Sequence, residues 1–187
     1  MTRVLVPLAQ GCEELEAVTI IDLLRRAEIE VVVAGLEEGP VTASRGVRIL
    51  PDMPLDQALE LDYDMVALPG GLPGSDHLGA DDRVTALLKK MNESGRFVGA
   101  VCAAPKVLAR IGILDGKQAT AFPGVLQTEQ HPDITGNAVT RDGRVITSRS
   151  VGTVMDFALA IIEALEGRET RDTIEQSMAR TGQGGQA

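Results

Sequence analysis

Apolar residues arrive along this chain in short unbroken runs, separated by stretches in which they recur every three or four positions. Arg3-Val4-Leu5-Val6-Pro7-Leu8 is the first run and predicts a buried strand. Glu13 to Ala27 then shows helical spacing, with Leu15, Val18, Thr19 and Leu23 expected toward a core, and Ile29 to Ala34 reads as a second strand. A strand-helix-strand opening implies a right-handed parallel crossover. Val41 to Leu50 alternates around Gly46 as a hairpin would, and Pro51 and Pro54 interrupt regular structure before a short helix at Leu55 to Leu59.

Met65-Val66-Ala67-Leu68 is a third buried strand. It runs into Pro69-Gly70-Gly71-Leu72-Pro73-Gly74, too rich in Gly and Pro for helix or strand and suited to a site built from backbone. Asp81-Asp82 open a helix that Gly95 ends, and Phe97 to Val101 forms a fourth strand stopping at Cys102. Ala103 to Ile111 is the next helix, with Pro105 tolerated in its first turn. Ala138 to Arg141 and Arg144 to Ser148 flank Asp142-Gly143, a hairpin signal. Thr153 to Leu165 reads as a long apolar helix and Arg168 to Met178 as a polar one. The pattern predicts one α/β domain over residues 1–180 and a disordered Gly- and Gln-rich tail over 181–187, without repeats or linkers.

Composition narrows the function. A chain of 187 residues supports one good core, and its hydrophobic content of 44% is nearly all Val, Leu, Ile and Ala, as buried parallel strands require. With three Phe, one Tyr and no Trp there is no stacking platform for single-stranded nucleic acid, and a net charge of -9 repels phosphate backbones and anionic headgroups. The start lacks a signal-peptide pattern and no apolar run is long enough for a membrane span, so the expectation is a cytoplasmic protein. Cys12 and Cys102 are then separate free thiols.

Cys102 is the candidate nucleophile. It sits where a strand meets a helix, with Ala100 and Ala104 two positions either side, and a nucleophile elbow needs small residues there because its tight turn brings them together. N–H groups at the start of the following helix, Ala103 first, are expected to stabilise a thiolate and lower the cysteine's pKa. A buried, inert cysteine is the alternative, and position alone leaves both open. Gly70 and Gly71 end the preceding strand on the same sheet edge, where main-chain N–H groups can approach an oxyanion.

Glu13, Glu14 and Glu16 open the first helix on that edge. The helix dipole accounts for Glu13 and Glu14, whereas Glu16 lies between apolar neighbours where burial would raise its pKa and let it exchange a proton with a thiol. His77 follows the Gly-rich loop and is kept as a rim residue; His131 precedes Pro132, and neither adjoins Cys102 in sequence. No Cys, His and carboxylate cluster has metal-ligand spacing and no nucleotide-binding glycine motif is present, so neither metal nor cofactor is expected. Cys12 reads as a small loop filler, with a resolving thiol as the other role open to it.

Gly11-x-Glu13-Glu14-x-Glu16, Leu68-Pro69-Gly70-Gly71, Ala100-Val101-Cys102-Ala103-Ala104-Pro105 and Thr147-Ser148-Arg149 occur in this order, and with them the chain resembles the DJ-1 branch of the ThiJ/PfpI superfamily over residues 3–167. The resemblance implies a flavodoxin-like three-layer sandwich with a mostly parallel sheet, a homodimer, and Cys102 as an oxidisable nucleophile. It further implies a protonated Glu16 hydrogen-bonded to the thiolate, the Gly71 N–H in an oxyanion pocket, and Glu13, Arg26 and Arg45 near the dimer interface.

The chain also departs from the family. Phe122 stands where many relatives have a His near the cysteine, and Ser150-Val151-Gly152 replaces a commoner Gly-Pro-Gly. Ala103 directly follows Cys102 and no His-x-Glu motif exists, which disfavours peptidase and amidotransferase chemistry. Two functions remain. One is a cofactor-independent glyoxalase or deglycase acting on small α-oxoaldehydes or glycated protein side chains. The other is a non-enzymatic oxidative-stress sensor or redox-regulated chaperone working through a Cys102 sulfinate.

Overall fold

The computed structural model describes residues 1–127 and 133–180, so His131 and the expected disordered tail lie outside the described residues. The strands are β1 (Arg3–Leu8), β2 (Glu30–Gly35), β3 (Val41–Thr42), β4 (Arg48–Ile49), β5 (Met53–Pro54), β6 (Met65–Leu68), β7 (Phe97–Val101), β8 (Val139–Asp142) and β9 (Val145–Ser148). The helices are α1 (Glu14–Arg26), α2 (Leu55–Ala58), α3 (Gly74–Ala80), α4 (Asp82–Glu93), α5 (Pro105–Arg110), α6 (Val154–Glu166) and α7 (Arg168–Ser177). A 3-10 turn, Val151–Thr153, leads into α6.

Seven strands form one sheet in the order β5-β2-β1-β6-β7-β9-β8. Every neighbouring pair is parallel except β8 with β9, whose hairpin turns at Gly143. Side chains alternate between two cores. Val4, Val6, Leu8, Met65, Ala67, Phe97 and Val101 face the layer of α1, α6 and α7, whereas Leu5, Val66, Leu68, Val98 and Ala100 face α2, α3, α4 and α5. The result is a single-domain, flavodoxin-like three-layer α/β sandwich. Gly99 has a packing reason: a Cβ there would lie 3.0 Å from the Phe157 ring and closer still to Met65. Its absence lets Phe157 of α6 seat on the central strand.

Several elements differ from expectation. The buried face of α1 carries Glu14, Glu16, Ala17, Ile20, Leu23 and Leu24, while Leu15 and Val18 are half exposed, so the helix is rotated from its apolar-only reading. The rotation follows from two carboxylates that have partners inside. Glu14 does more than offset a helix dipole: its carboxylate accepts the N–H groups of Arg45 (2.9 Å) and Val47 (3.3 Å) and the Ser44 hydroxyl (3.0 Å), pinning the tip of the β3-β4 hairpin to α1. Helix α3 begins inside the Gly-rich segment, where Gly74 and Gly79 suppress the helical signal. Asp81 caps α4 as its position suggests, accepting from the N–H groups of Arg83 and Val84. The α5 helix starts later than expected, because residues 102–104 form the elbow turn. β5 is a two-residue edge strand whose pairing with β2 stops at Pro54, which has no N–H to continue it.

Phe157 is fully buried and joins α6 to the sheet. Truncation to Ala is expected to cost about 3–5 kcal/mol, the usual range for a buried Phe, measured as a lower urea midpoint with unchanged m. A loss below about 1 kcal/mol would show that α6 does not seat through this ring.

Candidate active site

Four chain segments meet at the carboxyl edge of β1, β6, β7 and β9. Two of them, residues 11–13 and 70–74, pack backbone against backbone. Glu13 N–H donates to Gly70 O (3.0 Å) and Gly74 N–H to Gly11 O (3.2 Å). A Cβ on Gly71 would fall 2.3 Å from Glu13 N, and one on Gly74 would fall 2.4 Å from Cys12 N. Gly71 also has φ +89, a left-handed value that favours glycine.

Gly70 is the keystone of the arrangement. A Cβ there would lie 2.8 Å from Glu16 Oε2 and 2.9 Å from Cys102 Cβ, so the acid and the thiol residue flank its Cα. Its N–H donates to Glu16 Oε2 at 2.7 Å. The Gly70 donor expected for an oxyanion is therefore taken by Glu16. Glu16 is fully buried, its Oε1 has no hydrogen-bond partner among the described residues, and the Cys102 thiol is near enough to shift its titration.

Cys102 is half-buried and stands at φ +61, rare for a residue with a Cβ and the signature of a strained elbow. Both Ala100 and Ala104 are fully buried around it. Its N–H donates to Ser148 O (2.9 Å) and its carbonyl accepts Phe122 N–H (2.9 Å), which fixes the turn between β9 and residue 122. The N–H groups of Ala103 and Val151 lie near the thiol and act to lower its pKa. Val151 escaped the sequence reading, although its tripeptide Ser150-Val151-Gly152 had already stood out. A reciprocal cap holds that N–H in place: Ser150 N–H donates to Thr153 Oγ1 (3.0 Å) and Thr153 N–H to the Ser150 carbonyl (2.9 Å), while Thr153 Oγ1 also meets Ser148 Oγ (2.8 Å).

Electrostatics reverse the expectation of an acidic thiol. Burial, then the adjacent Glu16 carboxylate, push Cys102 up to about 12, against the lowering by the two N–H groups. Burial pushes Glu16 up to about 7, opposed by the Gly70 N–H and the thiol. The pair thus gives up its first proton from Glu16, near pH 7, while Cys102 remains a thiol.

Other candidates lie apart. Cys12 is fully buried in the α1 core, and burial followed by the Glu14 charge raises its thiol to about 11. Residue 122 adjoins the elbow, but Phe122 is 48% exposed and cannot titrate. The His77 ring bonds the Gln10 carbonyl (3.0 Å) and lines a cavity of about 340 Å³ with Leu36 and Val41, not with Cys102. Glu13 Oε2 accepts the Ser44 hydroxyl (2.8 Å), and the Arg45 side chain turns to the Ser44 carbonyl (3.4 Å). Arg26 pairs with Asp22 (2.8 Å) at the far end of α1, about 20 Å from Glu13 by helical rise, and lines a separate cavity with Met1 and Glu166.

Residues 2–164 match the model of a known family, described as DJ-1/PfpI. The chain belongs to the DJ-1/PfpI family. Among curated DJ-1 relatives, Protein DJ-1 homolog B of Arabidopsis thaliana is 45% identical over 89% of this chain, which spans only 39% of that protein. Protein dj-1beta of Drosophila melanogaster is 44% identical, covering 88% of this chain and 90% of the relative. Glutathione-independent glyoxalase DJR-1.2 of Caenorhabditis elegans is 35% identical, covering 88% and 89%. The solved structure of oxidized Toxoplasma gondii DJ-1 superposes with a TM-score of 0.90 at 36% identity, covering 95% of this chain and 98% of that one.

The titration of Glu16 makes a testable link to stability. Its folded pKa is raised from 4.5 to about 7, so the folded state keeps a proton that the unfolded chain releases. That contribution is complete below the unfolded value and is lost as pH climbs to about 7, beyond which charged Glu16 destabilises the fold by on the order of 3 kcal/mol. Glu16→Gln keeps the acceptor for Gly70 and removes the charge. The variant's Tm relative to the unsubstituted protein is expected to rise steadily between pH 4.5 and 7 and then level off; parallel Tm curves across that interval would refute a raised pKa.

Proposed function

We propose that the chain is a glutathione-independent glyoxalase acting on small α-oxoaldehydes such as methylglyoxal. The observation that carries this reading is the Glu16 carboxyl held against Gly70 beside a half-exposed Cys102 thiol. A relative named for the same activity, over most of both chains, supports it. As the thiol sulfur adds to the aldehyde carbon, Glu16 takes the thiol proton and passes it to the carbonyl oxygen, which becomes the hydroxyl of a hemithioacetal, and Glu16 returns to a carboxylate. Glu16 then moves the hydrogen of that carbon, as a proton, to the neighbouring ketone carbon through an enediol while the hydroxyl proton passes to the ketone oxygen, oxidising the first carbon to a thioester and reducing the second to an alcohol. Water hydrolyses the thioester to lactate and restores the thiol. The N–H groups of Ala103 and Val151 lie at the sulfur, and that of Gly71 in the adjoining loop supplies a further donor as negative charge develops.

A purified-protein assay of methylglyoxal to lactate without glutathione tests the proposal. Cys102→Ser is expected to abolish turnover. Glu16→Gln should lower kcat/KM by about 10²–10⁴-fold, the usual contribution of a positioned acid-base group. Turnover retained in Cys102→Ser would overturn the reading. No turnover in the unsubstituted protein, together with peroxide conversion of Cys102 to a sulfinate, would favour the redox sensor, whose sulfinate oxygens would use the same N–H donors.

The working unit in this reading is a homodimer. Leu15 (51% exposed) and Val18 (49%) make an i, i+3 pair on the outer face of α1, beside Val47 (50%) on the hairpin that Glu14 holds there. Light scattering is expected to give a dimer at micromolar concentration, and Val18→Asp a monomer. A monomeric unsubstituted protein would refute this assembly.

A further inference from the structure

We propose that the cavity between α3 and α5 binds a small tetrahedral oxyanion of the phosphate type. The cavity holds about 140 Å³ and is walled by Ser75, Asp76, Gly79, Lys106, Val107 and Arg110. That volume suits a single phosphate group and is too small for a nucleotide.

Two of its polar groups, the Ser75 hydroxyl and the Arg110 guanidinium, have no acceptor among the described residues. Ser75 is fully buried, yet its hydroxyl has no hydrogen-bond partner, an unfavourable state for a buried polar atom unless a ligand or water completes it. Arg110 is exposed and makes no ion pair among the described residues. Lys106 Nζ meets Asp76 Oδ1 at 2.5 Å, so two cations face one carboxylate and the cavity is locally positive in a chain of net charge -9.

Gly79 makes room for this arrangement. A Cβ there would lie 3.2 Å from Val107 Cγ2 and 3.3 Å from Arg110 Nη2, so the guanidinium rests on the α3 backbone beside Ser75. A planar guanidinium fork, an ammonium and a hydroxyl together match an acceptor with several oxygens, which is what an oxyanion offers. Neither Cys102 nor Glu16 lines the cavity, so this site stands independently of the thiol chemistry.

Calorimetric titration with inorganic phosphate, at fixed pH and at ionic strength held constant with NaCl, tests the site. The expected result is saturable binding of one phosphate per chain, matched by sulfate and at least about tenfold weaker for acetate. Arg110→Gln and Ser75→Ala should each weaken phosphate by about tenfold, with the Tm of each variant checked for an intact fold. Because Arg110 is exposed, its variant keeps the test decisive if Ser75→Ala fails to fold. Absence of saturable binding, equal affinity in Arg110→Gln, or acetate binding as tightly as phosphate would overturn the proposal. The readout is phosphate binding, not turnover, so its failure is distinct from failure of the glyoxalase reading.

Discussion

Everything at the carboxyl edge depends on the bare Cα of Gly70. Glu16 Oε2 and Cys102 Cβ both approach the space a side chain would fill, and the Gly70 N–H is the hydrogen bond that lets a carboxyl be buried there. Burying a charge is tolerable only where such donors exist. Once Glu16 must point inward, α1 must roll with it. The same rotation that delivers the acid to the thiol brings Leu15 and Val18 to the surface, so the shape of the site and the apolar stripe on the outer helix face share one cause.

Magnitudes decide how the two titrating groups behave. A helix terminus is worth about 0.3–1 kcal/mol to a nearby charge, and α5 is only six residues long. Desolvation of a buried thiol or carboxyl shifts its pKa by up to about 3–5 units, each unit being about 1.4 kcal/mol. Burial therefore wins over the dipole at both groups, and each is raised. Above about pH 7 Glu16 is a carboxylate while Cys102 still holds its proton, an arrangement suited to moving a proton as the sulfur forms a bond. In the glyoxalase reading proposed above, Glu16 therefore serves as base toward the thiol instead of as donor to a standing thiolate.

Much of this architecture is legible in the residues alone, because the strand runs are continuous and apolar and because Asp81, Gly95 and Asp142-Gly143 punctuate them with strong local signals. Cys102 stands out through its small neighbours. What stays hidden is whatever depends on contacts between distant segments. The inward face of Glu14 is invisible until Ser44, Arg45 and Val47 are folded onto it. The Val151 N–H comes near the thiol only because β9 lies beside β7. Helix α3 is obscured by its own glycines, which are there for close packing and lower the propensity that would announce it.

Glu16 and Cys102 stand 86 positions apart, on the helix after the first strand and at the end of a central strand flanked on both sides. In the unfolded chain each is an ordinary residue with ordinary acidity. The two meet only after β7 has docked between β6 and β9 and the loop at residues 70–74 has closed over the start of α1. Such long-range pairing is among the slower events of folding. A nascent or damaged chain therefore lacks the paired acid and thiol, which come together only through the same closure that completes the native core.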